Sequence, residues 1–307
     1  MGGMTDDQGG GIADEPRLTR RFERWDYLSD EYRATAARIA AFQALAELVG
    51  VLPFAEWLGR VPDYVRKQML LAKIQDEVGH GHVMARVAED LGISRERILG
   101  DFVAGRTKLL NVFHYGFETW EEIGPATLLM NSAAIIQFQS LHQGTYLPYA
   151  RALKKIEREE GFHYHHALDF THEILATGGR RGRHTVEAAV RTWLPRMLAY
   201  FGPPDTDTYR GSAAYRFGLK VDSNDVLRQR WLAKIIPVFV DLGVDVPSDL
   251  VHHDPAQDTW HYAPVDFDAV RQLVTTGGPR YRDWLEAIDH SLARNRPYRM
   301  AAVGLAS

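Results

Sequence analysis

At 307 residues, 45% hydrophobic and 25% charged, with a formal net charge of −4, the chain has the profile of a globular protein able to bury a sizeable core. The slight acidic balance gives no ground for a nucleic-acid partner, and no run of 18 or more apolar residues suggests a membrane span. Cysteine is absent, which rules out disulfides and thiolate-held iron–sulfur clusters and fits a reducing cytoplasm.

In chain order, residues 1–16 are rich in Gly and Asp without an apolar signal core, and read as a disordered tail. A single domain is expected over 17–307, with a bundle core over about 29–176 and a helical extension over about 185–296. Ser29 or Asp30 caps a first helix running to about Leu52, where Pro53 breaks or restarts it. Val61-Pro-Asp63 opens a second long helix that ends near Leu91-Gly92. A short helix follows within Ser94–Gly105, then an aromatic connection, Val112 to Phe117, in which His114 and Tyr115 pack or line a pocket. Thr119-Trp-Glu-Glu122 has the capping-box pattern and starts a third bundle helix reaching about Gln143. The fourth runs from about Leu147 to Ala176, and its extra histidines His165, His166 and His172 fall mostly on the solvated side. Gly178 to Arg183 reads as a basic exposed turn, Thr185–Tyr200 as a fifth helix, and Ser223 as the cap of another ending at Gly243. Trp260-His-Tyr262 suggests a short strand, and a last helix spans Arg280–Arg294.

The informative pattern is polar. Glu77 and His80 lie three residues apart on a helix face otherwise made of Leu70, Ile74, Gly81, Met84, Ala88 and Leu91. Glu160 and His163 repeat the spacing on a second apolar face, with Leu153, Ile156, Tyr164 and Ala167. A carboxylate and an imidazole buried in an apolar stripe need compensation, and a metal ion supplies it. Glu47 stands 30 residues before Glu77 and Asn131 stands 29 before Glu160, each on the inward stripe of its own helix. That order is the one by which four-helix bundles hold two metal ions. Carboxylate and imidazole donors suit iron or manganese. Asp76 and Glu159, each preceding a ligand-type glutamate, are placed to accept the outer N–H of a metal-bound histidine. No glycine-rich dinucleotide fingerprint, phosphate loop or nucleophile elbow is present.

The segments Ala46-Glu-Leu-Val-Gly-Val-Leu-Pro53, Leu71-Ala-Lys-Ile-Gln-Asp-Glu-Val-Gly-His-Gly81, Tyr149-Ala-Arg-Ala152, Glu159-Glu-Gly-Phe-His163 and Phe201-Gly-Pro203 carry a resemblance over nearly the whole chain. It resembles the catalytic oxygenase subunits of the ring-1,2-phenylacetyl-CoA epoxidase family. The resemblance implies an all-α, ferritin-like four-helix bundle with extra C-terminal helices, and a non-heme di-iron monooxygenase that epoxidises the ring of phenylacetyl-CoA or a related aryl-CoA thioester with O2. It implies Glu47, Glu77, His80, Glu160 and His163 as catalytic iron ligands, with Asn131 at the sixth metal position, where the family has a carboxylate. Implied partners are a small coupling protein, a paralogous structural subunit, and a flavin/iron–sulfur reductase supplying electrons, in a homo- or hetero-oligomer. Lys73, Arg106, Lys108 and Arg180 are candidates for the CoA phosphates, although each reads first as an ordinary surface charge. The Asn131 substitution leaves two further readings: an oxygenase of specialised metabolism acting on an amine or carrier-bound aromatic group, and a non-catalytic scaffold subunit with a decayed site.

Overall fold

The computed structural model describes residues 17–205 and 211–302, so the tail expected over 1–16 lies outside the described residues. Its elements are α1 (Asp30–Gly50), α2 (Leu52–Ala55), α3 (Tyr64–Asp90), α4 (Arg95–Val103), a 3-10 turn at Asn111–His114, α5 (Ile123–Leu141), α6 (Leu147–Thr177), α7 (Gly179–Tyr200), α8 (Ala213–Arg216), α9 (Asn224–Asp241), β1 (Val251–Asp254), β2 (Thr259–Tyr262), α10 (Phe267–Thr276) and α11 (Tyr281–Ala302). The architecture is an all-α, ferritin-like helical bundle; β1 and β2 form one antiparallel hairpin, with Val251 opposite Tyr262.

Local chemistry sets the helix starts. Ser29, Asp63, Ser94 and Ser223 each accept a hydrogen bond from a backbone N–H in the first turn of the helix they precede. The capping box is present one turn ahead of α5: Thr119 Oγ1 accepts from the Glu122 N–H at 3.2 Å, while Glu122 Oε2 accepts from the Glu118 N–H at 2.7 Å. Glu122 also accepts from Trp193 Nε1 at 2.5 Å, which joins α5 to α7.

In the bundle, α1 packs along α3, α5 along α6, and α3 faces α6. Arg66 near the start of α3 is buried and binds Glu173 and Asp169 on α6, the latter at 2.9 Å, which fixes the register of the two site-bearing helices. One apolar core, containing Met84, Leu45, Phe102, Phe138 and Leu153, fills the α1–α3–α4 side. A second, built on Leu128, Leu129, Trp193 and Trp231, lies where α7 and α9 cover α5. The stretch Asp30–Ala55 is long and apolar enough to cross a membrane, but here it is a core helix of the bundle and carries the buried Glu47.

Three expectations are corrected. The basic stretch Gly178–Arg183 is not a loop, because α7 begins at Gly179 and takes it up as its first turns. Gly182 makes this possible: a Cβ there would meet the Ile174 carbonyl at the end of α6, so only glycine lets the two helices join so tightly. The third bundle helix ends at Leu141, and Gln143 lies beyond it. In the C-terminal part, α10 is an addition to the expected elements; Asp266 caps it by accepting from the N–H groups of Asp268 and Ala269. His114 is a packed residue: fully buried, stacked on Tyr281 at 4.7 Å between centroids, its Nδ1 accepting from the Gly278 N–H. Tyr115, by contrast, lines a cavity of about 440 Å³ beside Arg196 and Arg280.

Candidate metal centre

Four helices each bring part of the expected set to one place. Glu47 comes from α1, Glu77 and His80 from α3, Asn131 from α5, and Glu160 and His163 from α6. All lie on the inward stripes that their spacing implies; Glu47, His80, Asn131, Glu160 and His163 are buried and Glu77 nearly so.

Glu47, Glu77, His80 and Glu160 each offer a ligand-type atom, and these atoms all lie within 4.8 Å of one another. His80 Nδ1 points into this group, 3.5 Å from carboxylate oxygens of both Glu77 and Glu160, and is buried without a hydrogen-bond partner. A buried ring nitrogen aimed at three carboxylates is the donor chemistry a cation fits. The group suits an ion such as iron(II), which accepts mixed oxygen and imidazole ligands. His163 Nδ1 approaches two of the same carboxylates, 3.5 Å from the other oxygen of Glu77 and 3.4 Å from the Glu160 oxygen that also faces His80.

The outer nitrogens are held in a crossed pattern. His80 Nε2, on α3, lies 3.0 Å from Glu159 on α6, and His163 Nε2, on α6, lies 3.2 Å from Asp76 on α3. An outer nitrogen that donates to a carboxylate leaves the inner one free to bind as a lone-pair donor. Lys155 donates to Glu159 at 2.9 Å and steadies it from outside.

Electrostatics follow from crowding three carboxylates in an apolar interior. Burial, together with the charges of Glu77 and Glu160, pushes the Glu47 carboxyl well above the usual carboxylate range. Burial also acts against ionisation of Glu77, but the Lys73 ammonium and the neighbouring His80 imidazole outweigh it and hold Glu77 well below that range. Burial opposes the charged form of His80 as well, and the carboxylates of Glu77, Glu160 and Glu159 overcome it, so its affinity for a proton is raised.

Lys73 departs from the sequence expectation. It is neither on the surface nor near a phosphate-sized groove: it is buried, and its Nζ donates to Glu77, with Asn131 Oδ1 and His163 Nδ1 each at 3.4 Å. Its spacing from Glu77, four residues on one helix, is also that of a common surface ion pair, which is why periodicity alone misplaces it. Gln43 likewise carries no signal in the sequence; it sits one turn before Glu47 and donates to Glu47 Oε1 at 2.5 Å. Tyr200, at the end of α7, lines the site, and burial plus the Glu47 charge keep its phenol protonated far into alkali. Of the extra histidines, His165 and His172 are exposed and His166 is half-buried, none of them in the donor group.

A cavity of about 80 Å³ opens on the donors and is walled on its far side by Leu110, Val112, Phe113, Met130, Ala134 and Phe138. Gln43, Leu110 and Tyr200 also line a larger groove of about 770 Å³, whose rim carries Arg38, Arg97, Arg106 and Lys108. Arg180 is exposed on the first turn of α7 and does not line it.

Over 266 residues the chain is 34% identical to the A component of the 1,2-phenylacetyl-CoA epoxidase of Escherichia coli (strain K12), a match covering 86% of this chain and 85% of that protein. The sequence profile of the phenylacetic acid catabolic proteins matches residues 13–284. With a match of that extent spanning all four helices that carry the donors, the chain belongs to the phenylacetic acid catabolic protein family.

Proposed function

We propose that this chain is the catalytic subunit of an iron-dependent oxygenase that transfers an oxygen atom from O2 to the ring of an aromatic acyl-CoA thioester, phenylacetyl-CoA or a close relative. The observation that carries the reading is the buried Glu47–Glu77–His80–Glu160 group at the inner end of a path to a basic groove. Iron bound there would supply O2 activation, chemistry that no side chain offers. The protein's part is geometry and exclusion. Glu159 and Asp76 orient the two imidazoles, and the wall of Val112, Phe113, Met130 and Phe138 suits an apolar ring and keeps water from the centre. Arg38, Arg97, Arg106 and Lys108 suit the phosphates of a CoA tail reaching inward through the groove.

The chain has no cysteine with which to hold an iron–sulfur cluster, so electrons come from a separate reductase. A small coupling protein and a paralogous structural subunit complete the assembly in this reading, supported by the relative's being named as one component of a multi-subunit epoxidase. A cytoplasmic location belongs to it too, since CoA thioesters and their reductants are found there. The resemblance carries two iron ions; the four clustered donors suit one, while Asn131 and His163 face Lys73.

The test is reconstitution of the iron-loaded chain with its reductase, its partner subunits, phenylacetyl-CoA and ¹⁸O-labelled dioxygen. Label in a product that keeps the thioester supports the proposal; no O2 uptake above the reductase-only control overturns it. The scaffold reading, suggested by the amide at Asn131, predicts weak or single metal occupancy and no O2 consumption.

A further inference from the structure

Lys73 occupies an unusual place for a lysine. Its stem lies beside Phe54, the Nζ is 5.2 Å from that ring's centre, and its ion-pair partner is Glu77, inside the cluster. The ammonium touches Glu77 from α3, Asn131 from α5 and His163 from α6. Those side chains come from the three helices that, in the bundle order Glu … Glu-x-x-His … polar … Glu-x-x-His, supply one of the two ions. The donors of the other, Glu47, Glu77, His80 and Glu160, converge without Lys73.

We propose that the Lys73 ammonium stands in for the second metal ion, so that this chain binds one divalent ion, at Glu47, Glu77, His80 and Glu160. The inference rests on reading the cluster as a metal centre. Two arguments carry it. The first is space: an ammonium within hydrogen-bond reach of Glu77, Asn131 and His163 fills the volume in which an ion ligated by the same three groups would sit. The second is charge. Once Glu47 gives up its proton to serve as a ligand, three buried carboxylates and one ammonium leave two negative charges, which one divalent ion cancels; a second would leave the interior positive, and uncompensated buried charge is strongly disfavoured. A fourth carboxylate at position 131 would restore room in that balance, but the residue is Asn131. Its neutral amide oxygen is a suitable partner for an ammonium and a weak ligand for a hard cation. Lys73 lies within the segment that carries the family resemblance, so the departure is Asn131 alone: its neutral amide gives the ammonium an acceptor where a carboxylate would help hold a metal.

The experiment uses the full chain loaded anaerobically with manganese(II), with metal counted per chain and the electron paramagnetic resonance spectrum recorded. One ion per chain with an isolated, uncoupled manganese spectrum is expected, and two per chain with an exchange-coupled spectrum in the double variant K73M/N131D. Two coupled ions in the wild-type chain overturn the proposal while sparing the metal-centre reading. A count that stays at one in a natively folded K73M/N131D also overturns it, because Lys73 would not be what excludes the second ion. Should the double variant fail to fold, K73M alone decides: a second, more weakly held ion supports the proposal, and its absence overturns it. No ion in any of these proteins defeats the metal-centre reading together with the proposal.

Discussion

The carboxylate of Glu159 on α6 holds the outer nitrogen of His80 on α3 at 3.0 Å, and the same relation runs in reverse between Asp76 on α3 and His163 on α6. Each helix thus orients the other's imidazole, and the two braces separate the two halves of the centre. If one ion is bound, beside His80, the braces are unequal. Glu159→Gln should then weaken metal retention about 10- to 100-fold in chelator competition, whereas Asp76→Asn should change it little. Equal losses in both variants would mean that both histidines bind metal.

Gly81 sets the spacing between the helices that carry Glu47 and Glu77. A Cβ at this position would come within 2.6 Å of Leu48 Cγ, so α1 and α3 would have to part. Gly81→Ala should cost about 1–3 kcal/mol in denaturant unfolding. It should also lower metal affinity, since Glu47 and His80 are the chain neighbours of Leu48 and Gly81, and Glu77 lies one turn away.

Glu122 is a buried carboxylate whose acceptor capacity is used by Trp193 Nε1 and by the Glu118 N–H. Glu122→Ala strands the indole N–H in the core between α5 and α7 and removes the cap. A loss of about 2–3 kcal/mol is expected, read by chemical denaturation. Metal retention, whose clustered donors lie on α1, α3 and α6, should persist under native conditions.

His114 gives the fold a pH dependence of known sign. Burial holds its imidazole below the ordinary value of 6.5, so the folded chain keeps it neutral where the unfolded chain takes up a proton. Its contribution is full above that ordinary value and is lost as pH falls through it toward the folded value. The advantage of the wild type over His114→Phe, about 1 kcal/mol near neutral pH from the Gly278 hydrogen bond, should therefore shrink on acidification. A gap that widens in acid would contradict this account.

The groove makes a separable prediction. Arg38→Glu should raise the KM for a CoA thioester and leave that for a thioester lacking the nucleotide unchanged, because only the former brings phosphates to the rim. Leu110→Trp, at the junction of groove and inner cavity, should impair both substrates while leaving metal content intact. Steady-state kinetics of the reconstituted complex distinguish the two effects.

The paired Glu-x-x-His spacings are readable in the sequence because they are local, one helical turn each, and because an apolar stripe around a carboxylate has few explanations. The structure brings all six named positions together. The braces Asp76 and Glu159 are legible for the same reason, although their crossing is not: which helix faces which is a tertiary fact. Lys73 is illegible, since a lysine four residues before a glutamate looks the same on paper whether it faces water or a buried cluster. Tyr200 has no signal at all, as it reaches the site from a helix outside the bundle's repeat. The basic start of α7 misleads because glycine-rich sequence usually marks a turn, whereas here Gly182 serves close helix contact.

A cation that belongs to the chain cannot be chelated, diluted or mismatched. Lys73 already offsets part of the buried negative charge, so closing the bundle around these carboxylates does not leave all of it uncompensated before a metal binds. On the reading of the cluster as a metal centre, folding and metal binding are then separable events.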